Sequence, residues 1–252
     1  MAFRCFECNA EIAAPDDELG EAFLAHARAA HDWDEPDQAI RNYAEATLRL
    51  SGPTERLEAI GDVVIHPVTA ERLDDWTEFF DHRAYAGNPA CAGCYCFEPH
   101  VKQPDVPIGD DWPHWSVYRE GMRGLLGSGK AQGYLAYVDG VAAGWVNASL
   151  RSAYTLYARV DPEGPSSDTV VGVSCFIIAP PYRRHGIAGA LLDRVIADAA
   201  YRGAAWVEGY PKNAPDASDT SYFRGPRALF DARGFDDVEQ TEQYTVVRRA
   251  VP

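Results

Sequence analysis

The sequence predicts a mixed α/β fold of the α+β type, in which helices flank a central sheet and a small helical module comes first. Three observations support this prediction. The apolar run VVGVSCFII at 170–178 is typical of a central strand buried on both faces. Asp139-Gly140 separates two strand-like segments, which is a strong signal of a type I′ hairpin. Segments whose apolar residues recur every three to four positions lie around these strands and predict amphipathic helices.

The chain divides into three parts by composition. Residues 1–50 are predicted to form a small module, 51–61 a polar linker and 62–252 the main domain. In the first half of the main domain the pattern predicts a strand at VVIHPV, a helix at TAERLDDWTEFFDHRAY, a helix around WSVYREGMRGLL and the hairpin strands GYLAYV and VAAGWVNASL. The central strand follows. After it the pattern predicts a helix over 187–201, a strand at AAWVEGYP, a helix over 221–233 and a final strand pair that ends at TVVRRA.

The N-terminal module begins with an irregular, cysteine-bearing segment and continues into two helices. Asp16 or Asp17 can cap the first helix, which has one apolar face formed by Leu19, Phe23 and Ala27. Pro36 opens the second helix, and Ser51-Gly52-Pro53 ends it.

Composition excludes two classes of partner. The net charge of −15 repels phosphate backbones, so we expect no nucleic-acid partner. No apolar run approaches the roughly 18 residues of a membrane span, and no signal peptide is evident, so we expect a soluble cytoplasmic protein without a membrane partner. In a reducing compartment the six cysteines indicate metal ligands, reactive thiols or core residues rather than disulfides.

The sharpest signal follows the central strand. The strand ends at Ala179-Pro180-Pro181, a basic turn carries Arg183 and Arg184, and an amphipathic helix begins at Gly186. A helix N-terminus presents unpaired N–H groups and a partial positive charge, and small residues there let a phosphate approach the backbone. The pattern therefore predicts a pyrophosphate site, with the rest of the ligand lying along the strand.

Arg183-Arg184-His185-Gly186-Ile187-Ala188 resembles the acetyl-CoA signature of the GNAT superfamily, and the element order over about 62–252 is similar to that family. The resemblance implies a GNAT fold with a mixed, mostly antiparallel sheet, and an acyl-CoA-dependent N-acyltransferase that uses acetyl-CoA as co-substrate. It also implies that the N–H groups of 184–189 bind the pyrophosphate and that the backbone of 176–178 pairs with the pantetheine arm. The donor-binding residues are then Phe176, Ile177, Ile178, Arg183, Arg184, His185, Gly186, Ile187, Ala188 and Gly189.

The resemblance fails at two positions that supply proton transfer in many family members. A tyrosine expected in the last helix is Phe230 here, and a glutamate that histone-modifying relatives place just before the signature strand is Gly172. We therefore expect Glu208 to be the base, with Tyr210 or Tyr222 as the acid. The alternative is that Glu208 faces solvent or pairs with an arginine.

Two cysteine clusters are candidate metal sites. Cys5-x2-Cys8 followed by His26-x4-His31 has zinc-like spacing, so we expect structural Zn²⁺ in the N-terminal module, against the alternative of helix-face histidines and spare thiols. Ideal helical geometry would point the two histidines apart, so the last turn must distort. Cys91, Cys94, Cys96 and His100 form a second candidate, with pocket-wall or structural thiols as the alternative.

The acceptor is predicted to be a small cationic amine. Acidic residues stand near the expected pocket elements, and they are Glu98, Asp105, Asp110, Asp111, Asp216 and Asp219. Such acids would concentrate a cation, although they can equally serve only to solvate loops. The competing functions are acetylation of a protein recruited through residues 1–50, which could also mediate a homodimer, and CoA sensing without catalysis.

Overall fold

We describe a computed structural model of the chain, covering residues 2–5, 7–15, 17–50, 52–101, 115–157, 164–215 and 219–251. The N-terminal part contains a short antiparallel hairpin of β1 (Ala2–Arg4) and β2 (Glu11–Ala13), followed by α1 (Leu19–His31) and α2 (Asp37–Arg49). The expected apolar face of α1 is buried, and Pro36 stands directly before α2 as predicted. The irregular start is in fact this hairpin. The predicted cap is wrong at Asp17, because α1 begins after Glu18, and Asp16 lies outside the described residues.

A seven-stranded sheet forms the centre of the remaining chain, in the order β3-β4-β5-β6-β7-β9-β8. Every neighbouring pair is antiparallel except β6 and β7, which run parallel, so the predicted mixed and mostly antiparallel sheet is confirmed. The strands are β3 (Val63–Pro67), β4 (Gly133–Val138), β5 (Val141–Leu150), β6 (Val170–Ile178), β7 (Trp206–Gly209), β8 (Asp236–Gln240) and β9 (Thr245–Ala250).

Helices cover both faces of this sheet and enclose two apolar cores. On one face, α3 (Leu73–Glu78) and α4 (Trp115–Gly127) pack with the 91–97 loop around Trp76 and Trp145. On the other face, α5 (Ile187–Ala199) and α6 (Arg227–Asp231) enclose a core that includes Leu191 and Phe230. The central strand is therefore buried on both faces, as its apolar run predicts.

Three predicted elements are shorter or more irregular than expected. The helix predicted at TAERLDDWTEFFDHRAY is α3 flanked by a 3₁₀ turn at Ala70–Arg72 and a π-helical turn at Phe79–Arg83. The strand predicted at AAWVEGYP is only β7, and the helix predicted over 221–233 is only the short α6. In the last case the helix begins only at Arg227, because Gly225 has a φ of 84° and Pro226 has an extended backbone, which exclude the preceding residues from the helix.

The strands β6 and β7 form a fork. They are paired only from Val170–Trp206 to Val173–Gly209, and beyond that point β6 continues without β7. On its other edge β6 follows β5, but Ser174 is an extra residue, because Asn147 pairs with Cys175 and Ala148 with Val173. This bulge lies where the fork opens, and it shifts the side-chain alternation of β6 so that Phe176 and Val173 both face the α5 core.

In the part of the chain that the structure describes, no helix combines the length and the apolar character that a membrane crossing requires.

Candidate active site

The turn between β6 and α5 forms an open cradle at a helix N-terminus. Arg184 has a φ of 66° and Gly186 a φ of 81°, and α5 then begins at Ile187. A Cβ built at Gly186 meets no atom within 4 Å, so space is open on this side of the loop. The first-turn N–H groups of α5 point into that space without helical acceptors of their own. The predicted donor-binding residues of this loop are therefore brought together at an anion site.

Two further segments contact this loop. The Arg233 guanidinium Nη2 lies 2.7 Å from a Cβ built at Gly189, and Arg233 is itself held by Asp193 over 2.6 Å and 2.9 Å. The expected linker also contacts the loop, because the Leu57 N–H donates to the Pro181 carbonyl over 2.9 Å and His185 Nε2 lies 3.0 Å from the Leu57 carbonyl oxygen. Arg233 adds positive charge close to the anion site, and the sequence did not single it out.

The free edge of β6 beyond the fork is contacted by Phe223, which follows β7, and by Arg183, which lies in the turn directly after β6. The Phe176 N–H donates to the Phe223 carbonyl over 2.6 Å, and Arg183 Nε donates to the Ile178 carbonyl over 3.0 Å. Phe230 is fully buried, with its ring 6.4 Å from Phe176. Side-chain packing thus fills the position of the family tyrosine, and two backbone groups expected to pair with a pantetheine arm contact this chain instead.

Two tyrosines fill the position of the missing glutamate. A Cβ built at Gly172 would lie 2.8 Å from the Tyr210 hydroxyl and 3.0 Å from Tyr154 Cε2. The Tyr154 hydroxyl donates to the Gly172 carbonyl over 3.0 Å. Any larger side chain at this position would therefore clash, and the hydroxyl of Tyr210 stands where that side chain would begin.

Glu208 lies beside Gly172 in a buried ion-pair cluster. Its side chain is fully buried, and Oε1 accepts from Arg151 Nη1 over 2.9 Å and from Arg248 Nε over 2.7 Å. Oε2 accepts from the Tyr210 hydroxyl over 3.2 Å. The pairing with arginine, which the sequence left open as the alternative, is present. Glu208 contacts the fork through its hydrogen bond with Tyr210.

The two candidate acids differ in environment. Tyr210 is buried, and this burial, reinforced by the Glu208 carboxylate, raises the pKa of Tyr210 well above its usual value, so the hydroxyl keeps its proton. Tyr222 ends a 3₁₀ turn and is 36% exposed. Of the two, Tyr210 is the one in contact with Glu208.

A buried amide connects the fork to the 91–100 loop. Asn147 on β5 is fully buried and donates from Nδ2 to the Cys96 carbonyl over 3.2 Å and to His100 Nε2 over 3.0 Å. His100 Nδ1 donates to the Ala153 carbonyl over 3.0 Å, and burial lowers the pKa of His100, which favours the neutral ring that this network requires. The Tyr154 hydroxyl oxygen, which lies 3.0 Å from both Asn147 Oδ1 and the Gly172 carbonyl oxygen, completes the network with its single proton.

The second cysteine cluster is part of the core beside this network. The Sγ atoms of Cys96 and Cys175 are 3.0 Å apart, and burial raises the pKa of Cys96 well above its usual value. His100 is engaged by Asn147 and Ala153, not by the thiols. Cys96 is therefore a buried neutral thiol of the core, Cys91 and Cys94 are half-buried beside it, and His100 does not converge with them.

The first cluster is different. Among the described residues it is the one group in which three or more possible metal ligands converge, with all four donor atoms of Cys5, Cys8, His26 and His31 within 4.8 Å of one another. Cys5 Sγ lies 3.2 Å from His31 Nε2, and Cys8 Sγ lies 3.4 Å from His26 Nε2. The last turn of α1 is wide, as expected, because the Asp32 N–H reaches the Ala27 carbonyl five residues back.

The predicted acids can be placed only in part. Glu98 is exposed at the 91–100 loop, and Asp219 begins the 3₁₀ turn at Asp219–Tyr222. Asp105, Asp110, Asp111 and Asp216 lie outside the described residues.

Sequence reasoning missed several residues of the site. Asn147 and Arg151 are the clearest examples, and Asn147 carried a usable signal, since it is a polar residue inside the apolar strand β5. Arg151, Tyr154, Arg248 and the bulge at Ser174 carry no comparable local signal, because their partners come from distant strands.

A family model described as "Acetyltransferase (GNAT) family" matches residues 74–217, more than half of the 252 residues. No curated protein sequence matches the chain.

Solved structures with a similar arrangement include the N-acetyltransferase from Staphylococcus aureus Mu50, at 11% identity and a TM-score of 0.44, covering 76% of this chain and 100% of that one. The PaiA N-acetyltransferase from Thermoplasma acidophilum, solved in complex with coenzyme A, has 10% identity and a TM-score of 0.45 over 75% of this chain and 99% of that one. An acetyltransferase from Thermus thermophilus has 14% identity and a TM-score of 0.45, covering 76% of this chain and 98% of that one.

Proposed function

This chain belongs to the GNAT acetyltransferase family, and on that premise we propose that it transfers the acetyl group of acetyl-CoA to an amine of a small cationic molecule. The observation that carries the proposal is the position of the open anion cradle at Gly186, directly after the strand that continues beyond the fork. A pyrophosphate in the cradle would lead an extended arm along the free edge of β6 towards Ser174, where the fork opens.

The Ser174 hydroxyl is buried where the fork opens, and the Tyr154 hydroxyl lies beside it. In the reaction the amine nitrogen bonds to the acyl carbon, the carbon–sulfur bond breaks, and one amine proton is transferred to the thiolate.

We assign the movement of that proton to Tyr210 and Glu208. The Tyr210 hydroxyl keeps its proton at neutral pH and stands where the glutamate of related enzymes would begin. Glu208 accepts from it over 3.2 Å, and two arginines fix the orientation of the carboxylate. Tyr210 is thus the proposed proton carrier, and Glu208 acts through it as the base or as a positioning residue. Tyr222 is the alternative acid because it lies on the segment that contacts Phe176 through Phe223.

We also propose that the four ligands in the N-terminal module hold one structural Zn²⁺. The separations of 3.2 Å and 3.4 Å between sulfur and nitrogen are close to the roughly 3.5 Å that tetrahedral geometry gives for zinc bonds of about 2.3 Å and 2.0 Å. Glu7 accepts from His31 Nδ1 over 2.8 Å, which fixes the ring so that Nε2 faces the site. Zinc would there stabilise a small module rather than take part in the transfer reaction.

The donor site is tested by calorimetry with CoA and acetyl-CoA on the full-length Gly186→Glu variant. A carboxylate in the cradle adds like charge where phosphate should bind, so we expect the affinity to fall by at least about 100-fold, since several contacts to the pyrophosphate are lost together. Gly203→Glu is the matched control, because Gly203 also has a positive φ of 74° and open surroundings but lies after α5, away from the fork.

Unchanged affinity in Gly186→Glu would contradict the donor site. Acetylation is then measured as release of free CoA in the presence of a panel of amines. CoA binding without any turnover would instead favour the alternative of a CoA-sensing protein, and turnover confined to peptides would favour a protein acceptor.

A further inference from the structure

The segment 221–225 contacts the free edge of β6 through one backbone hydrogen bond. The Phe223 carbonyl accepts from the Phe176 N–H over 2.6 Å, and a Cβ built at Gly225 would lie 3.0 Å from the Phe176 ring. Gly225 has a φ of 84° that only glycine adopts readily, so the chain can turn closely against this ring. The segment therefore makes the hydrogen bond that an amide of the donor arm would make with the same N–H group.

The next residue places a cation between aromatic rings. The Arg224 guanidinium carbon lies 5.0 Å from the ring centre of Tyr244 and 5.7 Å from that of Tyr157. These two rings meet edge to face at 84°, and Tyr210 stacks behind Tyr157 with ring centres 3.8 Å apart. We call Tyr157 and Tyr244, backed by Tyr210, the tyrosine cage. Because aromatic faces attract cations, this cage is a site for a guanidinium or ammonium group.

The contacts of Arg224 are incomplete. Its Nε is buried without a hydrogen-bond partner, and no carboxylate among the described residues pairs with it. The Tyr157 hydroxyl is also buried without a partner in this part of the chain. A site whose permanent occupant is Arg224 would satisfy Arg224 Nε and the Tyr157 hydroxyl. A site that normally binds a different cation would leave both atoms unsatisfied while Arg224 occupies it.

The cage lies at the opening of the fork. The last residue of β7, Gly209, pairs with Val173. Tyr210 is the next residue and is therefore level with Ser174. Phe223 and Arg224 are adjacent in sequence, so a displacement of the Phe223 carbonyl from the donor edge also shifts the backbone that carries the cation in the cage.

We propose that residues 221–225, the plug, occupy both substrate positions until the donor binds, and that the tyrosine cage then takes a cationic group of the acceptor. When the donor arm takes the Phe176 N–H, the Phe223 carbonyl leaves and Arg224 leaves the cage with it. The inference rests on the proposed acetyl transfer and goes further in two ways. It names the segment that the donor has to displace, and it names the acceptor class as an amine with a second ammonium or guanidinium group.

The plug is tested by CoA binding to full-length protein. In Arg224→Ala the donor no longer has to displace the guanidinium from the cage, so CoA should bind roughly three- to tenfold more tightly. Arg227→Ala is the control, because Arg227 is a nearby arginine that pairs with Asp231 and Asp237 instead. Unchanged CoA affinity in Arg224→Ala would overturn the plug.

Hydrogen exchange gives an independent measurement. The Gly225 N–H donates to the Tyr222 carbonyl over 2.8 Å within the plug, so displacement of the plug by saturating CoA should speed exchange of this amide by roughly tenfold or more, while the Phe176 amide stays protected by the donor. Protection of the Gly225 amide that persists with CoA bound would overturn the displacement.

The cage is tested by the kinetics of agmatine and 1,4-diaminobutane against butylamine, which lacks the second cation. Tyr244→Leu should raise KM for the two dications by roughly fivefold or more with kcat unchanged, and Tyr244→Phe, which keeps the aromatic face, should restore it. Equal effects on butylamine would overturn the cage. If wild-type protein binds no CoA, the proposed function fails; if CoA binds while the plug stays protected, only this inference fails.

Discussion

The Tyr210 hydroxyl donates to Glu208 Oε2 over 3.2 Å, and the same hydroxyl lies 2.8 Å from a Cβ built at Gly172. The family resemblance places a glutamate at this position in histone-modifying relatives. Here the Tyr210 hydroxyl reaches that place instead, and Glu208, which binds Tyr210, is held by Arg151 and Arg248. The loss of one side chain at Gly172 is thus accompanied by a polar pair that approaches from β7.

Glu208→Gln is expected to reduce both stability and turnover. It leaves the guanidinium groups of Arg151 and Arg248 without a buried counter-charge, which should cost about 3–5 kcal/mol of the free energy of unfolding. Turnover should fall by roughly 100-fold or more with little change in acetyl-CoA affinity. Urea unfolding, steady-state kinetics and calorimetry measure the three quantities.

Tyr210→Phe separates the two effects, because it keeps the ion pairs and the stacked ring while it removes the hydroxyl. We expect a similar loss of turnover but a stability loss of only about 1 kcal/mol. Normal rates across pH in both variants would remove the pair from the mechanism. Phe230→Ala is expected to lower stability through lost packing, by about 3–5 kcal/mol, without altering the pH profile.

The accuracy of the predictions from the sequence differs from element to element. The turn at Asp139-Gly140 was predictable because two adjacent residues determine it, and both adopt positive φ. The strand β6 was predictable because its apolar run extends over its whole length. The pairing of Glu208 was left open, because Arg151 and Arg248 lie 57 and 40 residues away along the chain. The helix predicted over 221–233 was too long for a local reason, since Gly225 and Pro226 interrupt it and α6 begins only at Arg227.

Alkaline pH should destabilise the protein through its buried thiols and tyrosines. Burial raises the pKa of Cys96 and of Tyr210 above their usual values of 9.0 and 10.0, so the folded state favours the neutral forms. Their contribution is complete below the unfolded-state pKa and is lost as pH rises above it, at about 1.4 kcal/mol per pH unit for each group.

We therefore expect the free energy of unfolding by urea to decline from about pH 9 upward. Cys96→Ala should reduce the slope of this decline by the contribution of one titrating group, about 1.4 kcal/mol per pH unit. Tyr201→Phe, at a tyrosine that is 92% exposed, should leave the slope unchanged. A flat stability profile up to about pH 11 would contradict the assignment of buried neutral groups.

The zinc proposal predicts one metal ion per chain. Cys8→Ser should release it and unfold the N-terminal module, since a module this small depends on the metal for its stability. Elemental analysis of protein purified without chelator measures the ion, and circular dichroism measures the loss of α1 and α2. Cys91→Ser is the control, because Cys91 is half-buried in the other cysteine cluster and should leave the metal content unchanged. Protein without metal would end the proposal, and two ions per chain would return Cys91, Cys94 and Cys96 to consideration as ligands.

Salt dependence distinguishes a cationic small-molecule acceptor from a neutral or peptide one. The chain carries a net charge of −15, so its field attracts cations over a distance that ionic strength controls. For a dicationic amine, kcat/KM should fall steeply as the Debye length decreases below about 10 Å, because steering by exposed acids such as Glu98 is screened.

The tyrosine cage acts at contact distance and is screened much less by salt. KM should therefore level off at high salt, where the contribution of long-range steering has disappeared. Butylamine provides the comparison, since its single charge should give a shallower slope. A flat response for the dications would show that the surface acids only solvate their loops.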